Sequence, residues 1–164
     1  MSVSLETRRL AERLGALCRE QGVNVVTAES CTGGGVASAI TEIAGSSDYF
    51  ETGYVTYANG AKTRLLGVPE ALLAQHGAVS REVVEAMVAG ACAASGAGLG
   101  VAVSGVAGPG GGSAEKPVGT VWLAWGAPGR IHAELCCFPG DRSAVREQAV
   151  EAALARLVAW LEQG

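Results

Sequence analysis

The stretch Val23-Asn24-Val25-Val26-Thr27-Ala28-Glu29-Ser30-Cys31-Thr32-Gly33-Gly34-Gly35 decides how the chain is read. Its first half, through Ala28, is rich in β-branched residues and has the composition of a buried strand. Glu29 to Gly35 is a Gly-rich turn, and Val36 to Ala44 continues with a helical pattern. A strand that passes through a tight turn into a helix is a building unit of an α/β fold.

Upstream, Ser4 can cap a helix that carries Leu10, Leu14 and Leu17 on one face and stops at Gly22. Downstream, Tyr49 to Tyr57 alternates and predicts a strand. Asn59 to Leu66 predicts a short helix, and Pro69 suits the first turn of another that runs to about His76. Ser80 can cap a third helix with Val83, Val84, Met87, Val88 and Ala91 on one side. Leu99 to Ser104 reads as a buried strand. Gly105 to Gly119 is a loop made largely of Gly, Pro, Ser and Ala, and loops of that length in compact domains are usually functional or disordered. Gly119 to Trp125 and Arg130 to Phe138 flank Ala127-Pro128-Gly129 as a hairpin. Asp141 or Ser143 can cap a closing helix that turns Val145, Ala149, Ala152, Leu157 and Trp160 toward a core. The pattern predicts one α/β domain over residues 1–164, three-layered, with a mixed β-sheet flanked by helices.

Composition narrows the function. The chain has 164 residues, 49% of them hydrophobic and only 5% aromatic, so its core is built mainly from Ala, Val and Leu. The 24 glycines cluster in loops rather than in a repeat, which suggests close backbone approach to a ligand. A net charge of −4 argues against a general nucleic-acid binder, which needs a basic face. It leaves room for an anionic small molecule, held by one Arg or by backbone N–H groups. The N-terminus is an amphipathic pattern and not a leader, and no apolar run reads as a membrane span. Five cysteines, an odd number without C-x-x-C, read as reduced thiols of a cytoplasmic protein. Two histidines without ligand spacing to a cysteine argue against zinc, and no motif implies a metal or a cofactor.

The familiar catalytic signatures are missing. Around Ser30 there is no G-x-S-x-G and no S-x-x-K, and neither Walker A nor G-x-G-x-x-G is complete. Ser30 is nonetheless well placed, after a buried strand and before a helix whose first N–H groups suit an oxyanion or a phosphate. The same position lets Ser30 or Thr32 simply cap that helix. His76 reads as a helix C-terminal residue and His132 as part of the hairpin, so a serine nucleophile here needs another base. Lys62 is one of only two lysines against ten arginines. It is either a solvated helix lysine or an amine that can lose its proton, which Arg cannot do. Tyr57 reads as a strand-end aromatic, Asp141 as a cap, and Arg142 as a surface charge or a phosphate partner. Cys31 is a second candidate nucleophile, without a histidine to activate it.

Taken together, five segments resemble the CinA C-terminal domain family, the nicotinamide-nucleotide amidases. They are Thr27 to Gly34, Gly53 to Lys62, Gly77 to Ser80, the Gly105–Val121 region with Gly108-Pro109, Gly111-Gly112 and Lys116 to Val121, and Gly140-Asp141-Arg142. They follow the family's order over nearly the whole chain. The resemblance implies an amidase of pyridine nucleotide salvage that converts nicotinamide mononucleotide to nicotinic acid mononucleotide and ammonia. It implies Ser30 as nucleophile, Lys62 as general base and Tyr57 as a hydrogen-bonding partner between them. Backbone groups at Cys31, Thr32, Gly33 and Gly34 are expected to hold the oxyanion. Ser104, Gly105, Gly108, Gly111 and Arg142 are expected around the rest of a small-molecule pyridine nucleotide. The resemblance also implies a homo-oligomer, most simply a dimer. Two positions depart from the pattern: Ser104 stands where relatives often have Thr, and Gly35 where a larger apolar residue is common. A non-catalytic nucleotide-binding or interaction domain of the same fold is the alternative.

Overall fold

The computed structural model describes residues 3–163. Its elements run α1 (Leu5–Gln21), β1 (Val25–Glu29), α2 (Gly35–Thr41), β2 (Phe50–Val55), α3 (Asn59–Leu66), α4 (Glu70–His76), α5 (Arg81–Ser95), β3 (Leu99–Gly105), β4 (Thr120–Ala127), β5 (Arg130–Cys137) and α6 (Arg142–Glu162). Local chemistry sets most boundaries. Ser4 accepts the Thr7 N–H at the start of α1, and Gly22 ends that helix at φ 65°. Val23 donates its N–H to the Cys18 carbonyl to close the same helix, so β1 starts two residues later than the β-branched run predicts. Of the two candidate caps for the last helix, Asp141 accepts the Ala144 N–H. Helix α2 ends at Thr41 rather than Ala44, because the chain tightens there and Gly45, at φ 84°, leads into a 3-10 turn at Ser46–Asp48.

The strands form one sheet in the order β2-β1-β3-β4-β5. β2, β1 and β3 run parallel, and the β4–β5 hairpin adds two antiparallel strands. The fold is thus an α/β domain with a five-stranded mixed sheet between two helical layers, as the alternation of strand and helix patterns predicts. On one face, Leu14, Ile40, Leu154 and Leu157 bring α1, α2 and α6 onto the sheet. On the other, Val84, Met87 and Val88 of α5 pack over Val26 and Ala102, with Leu66 of α3 and Leu73 of α4 alongside. Two residues expected in the core lie at its margin: Ala152 and Trp160 are partly buried, and the Arg130 guanidinium sits 4.7 Å from the Trp160 ring.

The connections position the site. From β1 the chain crosses one face through α2 to reach β2, then crosses the other face through α3, α4 and α5 to reach β3. The switch point of the sheet, where connections leave in opposite directions, lies at the carboxyl ends of β1 and β3. Ser30 follows β1 there, Thr56 and Tyr57 follow β2, and the Gly-rich loop follows β3.

Candidate active site

Ser30 is pinned by backbone on both sides. Its N–H donates to the Val103 carbonyl at 2.9 Å, and the carbonyl of Glu29 accepts the Thr56 N–H at 2.9 Å. These bonds extend the sheet one residue beyond β1 and hold the Ser30 Cα on the rigid part of the fold. The Ser30 hydroxyl faces Lys62, whose Nζ lies 3.1 Å from Ser30 Oγ. Lys62 is completely buried. Its amine also donates to the Thr56 carbonyl at 2.7 Å and to the Tyr57 carbonyl at 3.2 Å. As an ammonium Lys62 donates in all three contacts; as a neutral amine it gives its two N–H groups to the carbonyls and turns its lone pair to the Ser30 hydroxyl. Burial pushes the Lys62 amine below its ordinary value of 10.5, because the interior disfavours the charged form; the nearby Cys31, when ionised, acts weakly in the opposite sense. The solvated-lysine reading is therefore wrong for this residue.

Neither Ser30 nor Thr32 caps α2. The cap is Glu29, which the sequence reading passed over. Its buried carboxyl group accepts the Val36 N–H at 2.9 Å, the Ala37 N–H at 3.0 Å and the Thr32 hydroxyl at 2.6 Å. Gly34 occupies the usual capping position at φ 103°, where it offers no side chain. The signal in the sequence was an acidic residue ending a buried strand just before a helix whose cap positions are glycines. Within the turn, Gly33 donates to the Ser30 carbonyl and Gly35 to the Thr32 carbonyl. The N–H groups of Thr32 and Gly34 are left without an acceptor among the described residues, while that of Cys31 faces its own thiol. Arg146 of α6 donates to the carbonyls of Cys31 at 3.1 Å and Thr32 at 3.3 Å, and so grips the turn from behind.

Tyr57 enters differently from the expectation. Its carbonyl holds Lys62, but its phenol accepts from Arg142 at 3.0 Å and does not lie between Ser30 and Lys62. The residue is 60% exposed, so it is no core aromatic either. The reason is directional: after β2 the backbone carbonyls turn inward to α3, which sends the ring out toward α6. Arg142 also donates to the Gly108 carbonyl at 2.8 Å, which ties the Gly-rich loop to the end of β2. Lys116 anchors the far end of that loop on the His76 carbonyl at 3.0 Å. Gly108 and Gly111 have φ of 84° and 87°, and a Cβ on Gly105 would stand 2.8 Å from the Thr120 carbonyl oxygen. Ser104 is buried at the end of β3. Gly35 also has a packing reason, since a Cβ there would meet Val150 of α6 at 2.9 Å.

Other candidates fall away. Burial pushes the Cys31 thiol up to about 11, which leaves little thiolate at neutral pH. His132 sits between Trp125 and Trp160, and His76 faces Glu82. All five cysteines are unbridged. No helix among the described residues is long and apolar enough to cross a membrane. A cavity of about 370 Å³ lies between α1, α2 and α6, lined by Thr32, Ser38, Arg146 and Val150, and reaches neither Ser30 nor Lys62.

The fold and site define an α/β protein with a buried serine–lysine pair at the switch point of its sheet. Residues 7–161 match the model of the CinA C-terminal domain, and the chain belongs to that family. It is 66% identical over 145 residues to a Pseudomonas putida protein named nicotinamide-nucleotide amidohydrolase PncC, covering 88% of this chain and 91% of the relative. An Escherichia coli K12 protein of the same name is 54% identical over 153 residues, covering 93% of each chain. Among solved structures, the competence/damage inducible protein CihA from Agrobacterium tumefaciens superposes with a TM-score of 0.95 at 45% identity over 99% of both chains.

Proposed function

We propose that this chain is a nicotinamide-nucleotide amidase that hydrolyses nicotinamide mononucleotide to nicotinic acid mononucleotide and ammonia. The observation that carries the reading is the Lys62 Nζ–Ser30 Oγ contact of 3.1 Å, buried and without a histidine, in a chain this similar to proteins named for that activity. Lys62, neutral, takes the Ser30 proton as Oγ attacks the carboxamide carbon, and the pyridinium ring withdraws electrons from that carbon to ease attack. The oxyanion is held by the free N–H groups of Thr32 and Gly34, donors that need no reorganisation as charge develops. Lys62 passes the proton to the amide nitrogen, the C–N bond breaks, and ammonia leaves an acyl ester on Ser30. Water then attacks the ester, giving one proton to Lys62, and Lys62 reprotonates Ser30 Oγ as the acyl–oxygen bond breaks. The carboxylic acid so formed leaves as carboxylate once its remaining proton passes to ammonia or solvent.

Ser104 and the loop bearing Gly105, Gly108 and Gly111 would line the nucleotide, with Arg142 as cation for its phosphate. Residues 1–164 would act as one amidase domain, in pyridine nucleotide salvage, in the cytoplasm and as a homodimer. The test is ammonia release from nicotinamide mononucleotide, with wild type beside Ser30→Ala and chelator present. Release by wild type alone supports the reading. Release by both moves the nucleophile elsewhere, and release by neither favours a nucleotide-binding module.

A further inference from the structure

The turn that carries Ser30 is held by a group the reaction itself does not use. Glu29 is fully buried and has three hydrogen-bond donors around its carboxyl group. Two of them, the N–H groups of Val36 and Ala37, are what any N-terminal cap of α2 would take. The third, the Thr32 hydroxyl, belongs to the turn and contributes nothing to the helix. Oε1 accepts from both Thr32 and Val36, so one oxygen ties the middle of the turn to the first turn of α2. An ordinary cap cannot do this, because Gly34, at φ 103°, stands where its side chain would come from.

We propose that Glu29 is a positioning residue for Ser30, acting through Thr32 to set the 30–35 turn in the shape that aims its free N–H groups at the bound carboxamide. By taking the Val36 and Ala37 N–H groups, Glu29 removes the helix start as an oxyanion donor. It leaves that work to Thr32 and Gly34, whose orientation the Thr32 contact controls. The kinetic part of this inference rests on the amidase reading; the structural part does not.

The experiment compares Thr32→Val, Thr32→Ser and Glu29→Gln with wild type. Thr32→Val removes the hydroxyl alone and leaves both helix contacts of Glu29 in place. It is expected to lower kcat about tenfold or more, with KM within about twofold, because a turn misplaced by a fraction of an ångström costs rate before it costs binding. The lost hydroxyl-to-carboxylate bond also lowers the melting temperature by several degrees. Thr32→Ser is expected to restore most of the loss. Glu29→Gln is expected to lower kcat further and to lower the melting temperature. Amide exchange at Gly33 and Gly35, whose N–H groups bond within the turn, should quicken about tenfold in Thr32→Val. Wild-type kcat and wild-type exchange in Thr32→Val would overturn the proposal and leave Glu29 a helix cap only. If wild type releases no ammonia, the amidase reading falls. The exchange measurement still decides here: quickened exchange upholds the positioning role, and unchanged exchange removes it.

Discussion

Gly90→Ala should disable the site from the opposite end of the lysine's helix. Gly90 lies inside α5, where Ala ordinarily stabilises a helix by about 1 kcal/mol. Here a Cβ would stand 1.8 Å from the carbonyl oxygen of Leu66, the last residue of α3. Ordinary contact begins at 3.4 Å, so the two helices must part by about 1.5 Å. The neighbour is backbone and has no rotamer to yield. Overpacking of this kind costs roughly 1–3 kcal/mol, which outweighs the helix gain. For a chain of this length each kcal/mol lowers the melting temperature by about 2–4 °C. Lys62 lies one turn before Leu66 on α3, and its contact with Ser30 is only 3.1 Å long. A shift of about 1 Å at Nζ breaks that contact and is expected to reduce kcat by about 100-fold. The assay pairs ammonia release with thermal unfolding, using Gly60→Ala as a control, since a Cβ at Gly60 meets nothing within 4 Å. A Gly90→Ala protein as stable and as active as wild type would refute the reasoning.

Further outcomes follow from the same geometry. Lys62→Arg and Lys62→Met should each lose activity by about 100-fold or more, and wild-type kcat/KM should rise with pH through a limb below 10.5 as the lysine loses its proton; an active Lys62→Arg would remove it as base. The lowered Lys62 value also acts on stability. The unfolded chain binds the proton more tightly, so this residue's contribution rises with pH between its folded value and 10.5. Denaturant unfolding of wild type and Lys62→Met should therefore show the difference in stability moving in favour of wild type as pH rises toward 10.5; a difference that is constant with pH contradicts this. Alkylation at pH 8 should modify exposed Cys137 first and spare Cys31, whose thiol titrates near 11; rapid loss of Cys31 would contradict its burial. Tyr57→Phe and Arg142→Ala share one hydrogen bond, so a double-mutant cycle on KM should be non-additive, and strict additivity would deny the bond in solution.

Much of the architecture was legible because it is written locally. Ser4 with Gly22, Ser80, and Asp141 each mark a helix boundary with a residue whose own backbone or side chain enforces it. The strands β1 and β3 announced themselves as uninterrupted buried runs, and the β4–β5 hairpin by its turn residues. Boundaries slipped where one residue's N–H was claimed by a neighbouring element, as Val23 was by α1.

The candidate site was legible in a different way. Ser30, Tyr57 and Lys62 were singled out by residue type and by resemblance, yet spacing alone left the serine as a cap and the lysine as a solvated charge. Those readings turn on contacts between residues far apart in the chain. Lys62 is buried because α3 packs under α5 and beside the end of β2, and Ser30 is no cap because Glu29 already is one. Side-chain direction was the part least visible beforehand: the Tyr57 phenol goes to Arg142, 85 residues away. By itself the sequence determined the order of the elements, their caps and the chemistry available at the turn after β1, since propensity, capping and periodicity act over a few residues. Only the tertiary structure decided which groups meet, which are desolvated and which N–H groups stay free, because burial and hydrogen-bond competition depend on everything packed around them.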